Sequence, residues 1–276
     1  MKEKGLPKNR VEVFLDVFQM NWRTLAYISL FLSIFILPTI LVLLFSEMAN
    51  INILTNLNKE NQEEILKAIS EYYYQNIYSI IFLFPCFIIA SFGFAGSFNI
   101  MRKIVWMEQY EFFDCFKKGI KGNISKIIFN AVLLTIIYSI GVFIYLYLLF
   151  NEVDPVIMGL IIGLAIIISV FLLNMVFIGY AQMTIYNNNL ISFIKNNFIF
   201  SFISYFKCLL ILVLSLILVL IGLLFEYVVS IVIVFSFYAL MGFGYAILLY
   251  TLNSHSIFDK IINKENYPSI YKKGIQ

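Results

Sequence analysis

The chain has 276 residues, 62% of them hydrophobic and only 13% charged, with a mean hydropathy of +0.91. Soluble domains carry about a quarter charged residues, so the composition excludes a soluble globular protein. The length leaves no room for a separate catalytic domain beside the membrane spans.

The net charge of +3 hides a strong segregation. No charged residue lies between Arg23 and Glu47, Glu71 and Arg102, Lys126 and Glu152, Asp154 and Lys195, Lys207 and Glu226, or Glu226 and Asp259. A bilayer-spanning helix needs about 20 apolar residues. These runs predict an all-α, polytopic membrane protein with six spans, near 25–46, 77–101, 127–150, 156–183, 208–225 and 227–252.

The start carries Lys2, Lys4, Lys8 and Arg10, as a signal peptide would. The first apolar run begins only near Leu25 and no small-residue cleavage site follows it, so it reads as a retained span. Pro38 and Pro85 interrupt the first two spans, as kinks that neighbouring helices fill. Between them, 59–71 has helix-forming composition with Ile65, Leu66 and Ile69 on one face. It predicts a short helix on the outer surface, with Tyr72, Tyr73 and Tyr74 at headgroup level. Glu226 leaves almost no loop between the fifth and sixth spans, which predicts a tight hairpin.

Positive charges orient the spans, because Lys and Arg in short loops mark the cytoplasmic side. Seventeen of the 19 Lys and Arg residues fall on one side, and only Lys59 and Lys67 on the other. The second side also collects Glu47, Glu60, Glu63, Glu64, Glu71, Glu152, Asp154 and Glu226. Both termini are therefore expected in the cytoplasm, and the location is the cell membrane.

Each odd-numbered span follows a similar segment. Phe14, Leu15, Phe18 and Trp22 repeat the spacing of Phe112, Phe113, Phe116 and Ile120, and of Leu190, Ile191, Ile194 and Phe198. The i, i+1, i+4, i+8 recurrence is one face of an amphipathic helix lying in the interface. Each even-numbered span ends on a small-aromatic-small echo: Gly93-Phe94-Ala95, Gly179-Tyr180-Ala181 and Gly244-Tyr245-Ala246. Small residues let helices approach closely in lipid. Together these predict three parallel repeats of amphipathic helix plus transmembrane hairpin, about 11–101, 109–183 and 189–252, and a cytoplasmic tail at 253–276.

The chemistry is sparse. No ionisable residue is expected deep in a span, and the intramembrane polar groups are chiefly Asn130, Asn174 and Gln182. Asn174 lies nearest a span centre, where it reads as an interhelical hydrogen bond or as a substrate contact. The single histidine, His255, reads as a solvated tail residue. Cys86, Cys115 and Cys208 form no CxxC pair and read as free thiols. No catalytic, cofactor or metal-binding set emerges, and the expectation is a non-enzyme. Lys117, Lys118, Lys121 and Lys126, with Lys195 in the next inner loop, form a basic surface. It suits the anionic inner leaflet or a docking partner, and nucleic acid is not expected.

The stretch Trp106, Glu108, Phe113, Asp114, Phe116, Gly119, Ile120, Lys121 and Asn123 resembles the YesL-like family of bacterial integral membrane proteins, a domain of unknown function. The tract Tyr267-Pro268-Ser269-Ile270-Tyr271-Lys272-Lys273-Gly274 is similar to tails in clostridial members. The proline-and-alanine segment of that family's second span is matched only in part, by Pro85 with Ala90 and Ala95. The resemblance implies an accessory or regulatory factor for a carbohydrate ABC uptake system, with permease subunits as partners. It carries over no catalytic residues. The alternative is a small-solute transporter or pore with its pathway between the repeats, near Asn174.

Overall fold

A computed structural model describes residues 6–55, 62–151, 153–222 and 227–275. Glu226 and the expected hairpin around it lie outside the described residues. The elements are α1 (Arg10–Met20), α2 (Trp22–Thr55), α3 (Gln62–Val105), α4 (Phe112–Ile120), α5 (Ile124–Phe150), α6 (Pro155–Ile185), α7 (Leu190–Ile203), α8 (Tyr205–Gly222), α9 (Tyr227–Phe237), α10 (Phe243–Phe258) and α11 (Lys264–Asn266). One π turn, Tyr238–Gly242, joins α9 to α10 and another, Asp259–Asn263, joins α10 to α11. No strand occurs among the described residues.

Short polar side chains start several helices, as the orphan N–H groups of a first turn require. Asn9 accepts from the Glu12 amide at 2.9 Å, and Asn189 from the Ser192 amide at 2.9 Å. Asp154 accepts from the Val156 amide at 2.8 Å, with Pro155 in the first helical position. Pro38 and Pro85 sit inside α2 and α3 without ending either helix.

Five helical stretches among the described residues are long and apolar enough to cross a membrane: Trp22–Ile53, Leu66–Val105, Ile124–Leu149, Pro155–Ile185 and Val232–Asn266. A sixth candidate is the pair Leu190–Ile203 and Tyr205–Leu216, bent by 84° at Ser204. The described residues are thus all-helical, with five or six helices long and apolar enough to cross a membrane, consistent with a multi-pass membrane protein. The short outer helix expected over 59–71 is not separate. From Gln62 onward it is the first part of α3, a continuous helix of 44 residues. The reason is in the sequence: no Gly or Pro separates Gln62 from Pro85, so nothing stops propagation into the span.

Three helices, α3, α6 and α10, touch one another at the centre. α2 packs against α3 and α10, α5 against α3 and α6, and α8 against α6 and α10. Glycines allow the tightest approaches. A methyl group on Gly244 would lie 2.4 Å from the Leu25 carbonyl oxygen, and one on Gly93 would lie 2.7 Å from Leu32 Cδ1. The buried centre includes Leu25, Phe98, Met101, Ile178, Tyr180 and Leu248. Exposed Ile, Leu, Phe and Val cover the outside of the helices, the distribution a lipid-facing surface requires.

Both ends of the described chain lie at one end of the bundle, which is called the terminal end below. There Arg10 donates to Asp259 Oδ2 at 2.8 Å and to the Lys273 carbonyl at 2.9 Å. The segment after α11 turns back over the end of α3. Gly274 takes φ +85, and a side chain on it would strike the Val105 carbonyl at 2.4 Å.

Candidate functional site

The polar residues picked out in the spans all turn inward. Asn130, Asn174 and Gln182 are 0% exposed. Asn130 on α5 donates to the Val176 carbonyl at 3.2 Å, while its oxygen has no partner. Among the described residues, Asn174 and Gln182 on α6 have no hydrogen-bond partner at either amide atom. Asn174 therefore does not make the interhelical hydrogen bond that was one of its two readings.

Further unpaired groups join them. Asn197 and Ser201 on α7, and Thr251, Ser254 and His255 on α10, are buried with side-chain N or O atoms that lack partners. Gly179 makes room for two of the amides. A methyl group there would lie 2.7 Å from Asn197 Nδ2 and 3.1 Å from both amide atoms of Asn130. Around this layer, the Tyr180 hydroxyl hydrogen-bonds Ser91 at 2.7 Å and Phe177 stacks on Tyr250 at 4.2 Å. These contacts tie α6 to α3 and to α10.

Burying an amide or hydroxyl without a partner costs roughly 1–3 kcal/mol by protein mutational measures. Native proteins leave few such groups, and a cluster of them marks a place for water or ligand. The donors and acceptors here are amides, hydroxyls and one imidazole. That set suits an uncharged solute carrying several hydroxyl or carbonyl groups.

Below this layer, toward the terminal end, lies a charged ring centred on Trp106. The His255 ring lies against Trp106, centroids 5.6 Å apart and planes tilted by 38°, Arg102 lies 5.0 Å over the Trp106 ring, and Lys273 lies 4.4 Å over it. Met107 takes φ +55 at the end of α3, and the Glu108 amide bonds back to the Lys103 carbonyl at 2.9 Å. Such a left-handed turn is a usual helix stop. It returns Glu108 to the side of Lys103, where its carboxylate accepts from both Lys103 and Lys273. Burial pushes the Glu108 carboxyl up, but the two ammonium partners outweigh it and hold it below the usual carboxylate range. Asp259 also accepts from the Asn263 amide at 2.8 Å, and Asn263 in turn accepts from the Tyr186 hydroxyl. Burial, with Asp259 nearby, raises the Tyr186 phenol.

Two sequence expectations need correction. His255 is not a solvated tail residue: it is 2% exposed, because the last helix continues past Leu252 and docks on Trp106. Lys126 does not join the basic surface: it is 3% exposed, bonded to Asn123 Oδ1 at 3.1 Å and 5.8 Å over the Phe193 ring. It falls in the first turn of α5, on the face that α7 covers. Lys117, Lys118, Lys121 and Lys195 are exposed. The three cysteines are free and buried, and burial raises the Cys115 thiol. Among the described residues no group of three or more His, Cys, Asp or Glu could hold a metal ion.

Sequence reasoning missed Asn197, His255 and the ring around Trp106. A signal was present: Ile257, Phe258, Ile261 and Ile262 continue a helical apolar face beyond the expected end of the span. Comparison with protein-family models, curated proteins and solved structures returns no match.

Proposed function

We propose that this chain is a non-catalytic membrane protein that binds, and conducts across the bilayer, a small uncharged polar solute held among α3, α6, α7 and α10. One observation carries the reading: Asn174, Gln182 and Asn197, each 0% exposed, and His255, 2% exposed, carry side-chain polar atoms with no hydrogen-bond partner among the described residues. Polar groups at membrane depth are expensive and mark substrate pathways by default. On this reading both termini face the cytoplasm, in keeping with the lysine distribution, and the fold is a threefold repeat. The packing of α2, α5 and α8, each against two of the three central helices, supports that repeat.

The test uses the purified full chain in mild detergent, with thermal unfolding followed across a panel of sugars, polyols and amides. The expected result is stabilisation by one chemical class, lost in Asn174→Leu and Gln182→Leu. Without solute these two variants should be as stable as the parent or more so, because each removes an unpaired amide. If no solute in the panel shifts the transition and reconstituted vesicles show no flux, the reading fails.

A second reading is favoured by a different observation. Lys117, Lys118 and Lys121 stand exposed on and just after one short helix, α4, a surface suited to anionic lipid or to a docked permease subunit. This is the accessory role for a carbohydrate ABC uptake system that the YesL-like resemblance implies. In-cell crosslinking should then recover permease subunits with the parent chain. Recovery should fall when the three lysines are neutralised.

A further inference from the structure

A cavity of about 450 Å³ opens at the terminal end, between the last turn of α3, α4, the α4–α5 turn and the end of α6. Arg102, Lys103, Lys118 and Asn123 line it. Their charges are unequally matched. Lys103 shares the single Glu108 carboxylate with Lys273. Arg102 gives one hydrogen bond to the Thr184 carbonyl, its Nε is buried without a partner, and among the described residues no carboxylate pairs with it. Lys118 is exposed and likewise unpaired. Glu111 and Asp114 also line the cavity and, exposed as Lys118 is, offset part of its positive charge, which leaves the deeper Arg102 as the cation without a counter-charge.

The backbone adds to the imbalance. The 27-residue helix α5 begins at the cavity wall, and Asn123 does not cap it. The Asn123 side chain instead donates to the Gly119 carbonyl at 3.2 Å and accepts from Lys126. The open N-terminus of a long helix favours an anion, and Lys126 places a further cation behind it. Among the described residues the Arg102 guanidinium is met only by the Thr184 carbonyl and the Trp106 ring, and a partly buried cation so placed favours an anion to complete it.

We infer that this cavity binds an oxyanion, specifically a phosphate group held between the Arg102 guanidinium and the Lys118 ammonium. The planar guanidinium matches two phosphate oxygens at once, and the ammonium supplies a point charge from the mouth. The inference is independent of the solute proposed above, since it rests on other side chains and on a charged ligand. The phosphate comes either from a soluble compound or from the headgroup of an inner-leaflet lipid.

The experiment is thermal unfolding of the delipidated full chain in neutral detergent. It is run against inorganic phosphate and against short-chain phosphatidylglycerol, with sodium chloride at matched ionic strength as reference. Stabilisation by inorganic phosphate that weakens about tenfold or more in apparent affinity in Lys118→Gln, as loss of a charge-assisted hydrogen bond predicts, supports a soluble source. Stabilisation by phosphatidylglycerol alone, weakened in the same variant, supports the lipid headgroup. Lys118 is exposed, so its variant folds; Arg102→Gln repeats the measurement at the deeper group. No stabilisation beyond chloride, or stabilisation undiminished in both variants, overturns the inference.

Discussion

Replacing Gly244 by alanine tests the central packing directly, because the same change at Gly163 provides its control. Both glycines lie inside helices, and alanine is intrinsically the better helix former by about 1 kcal/mol. At Gly163 an added Cβ meets nothing within 4 Å, so only that gain is expected. At Gly244 the new Cβ would lie 2.4 Å from the Leu25 carbonyl oxygen, whereas ordinary contact begins at 3.4 Å. The obstacle is backbone, so α10 and α2 must part by about 1 Å. That separation also breaks the 2.7 Å hydrogen bond from the Gly244 amide to Ser29 Oγ. Overpacking costs about 1–3 kcal/mol and the lost bond about 1 kcal/mol. Set against the helix gain, Gly244→Ala should lose about 1–3 kcal/mol. For a chain of this size that lowers the midpoint by roughly 2–5 °C. The assay is built into the protein: Cys86, Cys115 and Cys208 are buried free thiols, so a thiol-reactive fluorophore reports unfolding. Gly163→Ala should match or exceed the parent. If the two variants shift equally, or Gly244→Ala is neutral, the close approach of α2 and α10 is wrong.

Two predictions concern the docked C-terminal segment. Glu108 has a lowered pKa in the folded chain, so its contribution is fully present above the unfolded carboxyl value of about 4.3 and is lost as pH falls through the folded value. Acidification below that point should release Lys273 from Trp106. In Trp22→Phe the emission of Trp106 alone would report the release, and Glu108→Gln should already be released at neutral pH. Asp259→Asn leaves Arg10 without its carboxylate in a site where both side chains are nearly buried. It should cost about 3–5 kcal/mol and open the segment to limited proteolysis, and a concurrent Arg10→Met should recover much of the loss. A double variant no better than the single one would show that the pair is not what holds the segment.

Much of the bundle could be read from one sequence because lipid leaves few choices. An uncharged run must satisfy its backbone internally, so it becomes a helix, and the runs from Trp22, Ile124 and Pro155 are helices that begin close to where they were expected. The three small-aromatic-small echoes marked glycines at tight approaches, and Gly93, Gly179 and Gly244 all are. What escaped was set by contacts between distant segments. Lys126 reads as one more loop lysine until α7 covers it. His255, flanked by Ser254 and Ser256, reads as solvated until Trp106 and Arg102 close on it. The outer part of α3 escaped for a local reason: an acidic, tyrosine-rich stretch suggested a surface helix, yet nothing in it could stop the helix. Asn130, Asn174 and Gln182 were visible as residues, but the absence of any partner for Asn174 and Gln182 among the described residues, and for the Asn130 oxygen, is a property of the assembled interior.

The contact between α2 and α10 also sets an order of events during synthesis. Ser29 and Gly244 are 215 residues apart, and Arg10 and Asp259 are 249 apart. At about 5–20 residues per second, the ribosome takes roughly 10–45 s to deliver the last helix after the first has entered the bilayer. α6 ends at Ile185 and α10 at Phe258, so α3 and α6 wait roughly 4–15 s of that interval for their third partner. The arrival of α10 then completes the contact of the three central helices. If the proposed solute is held in this interior, one present while the chain is being made can enter before α10 packs, an access that the finished bundle grants only by opening.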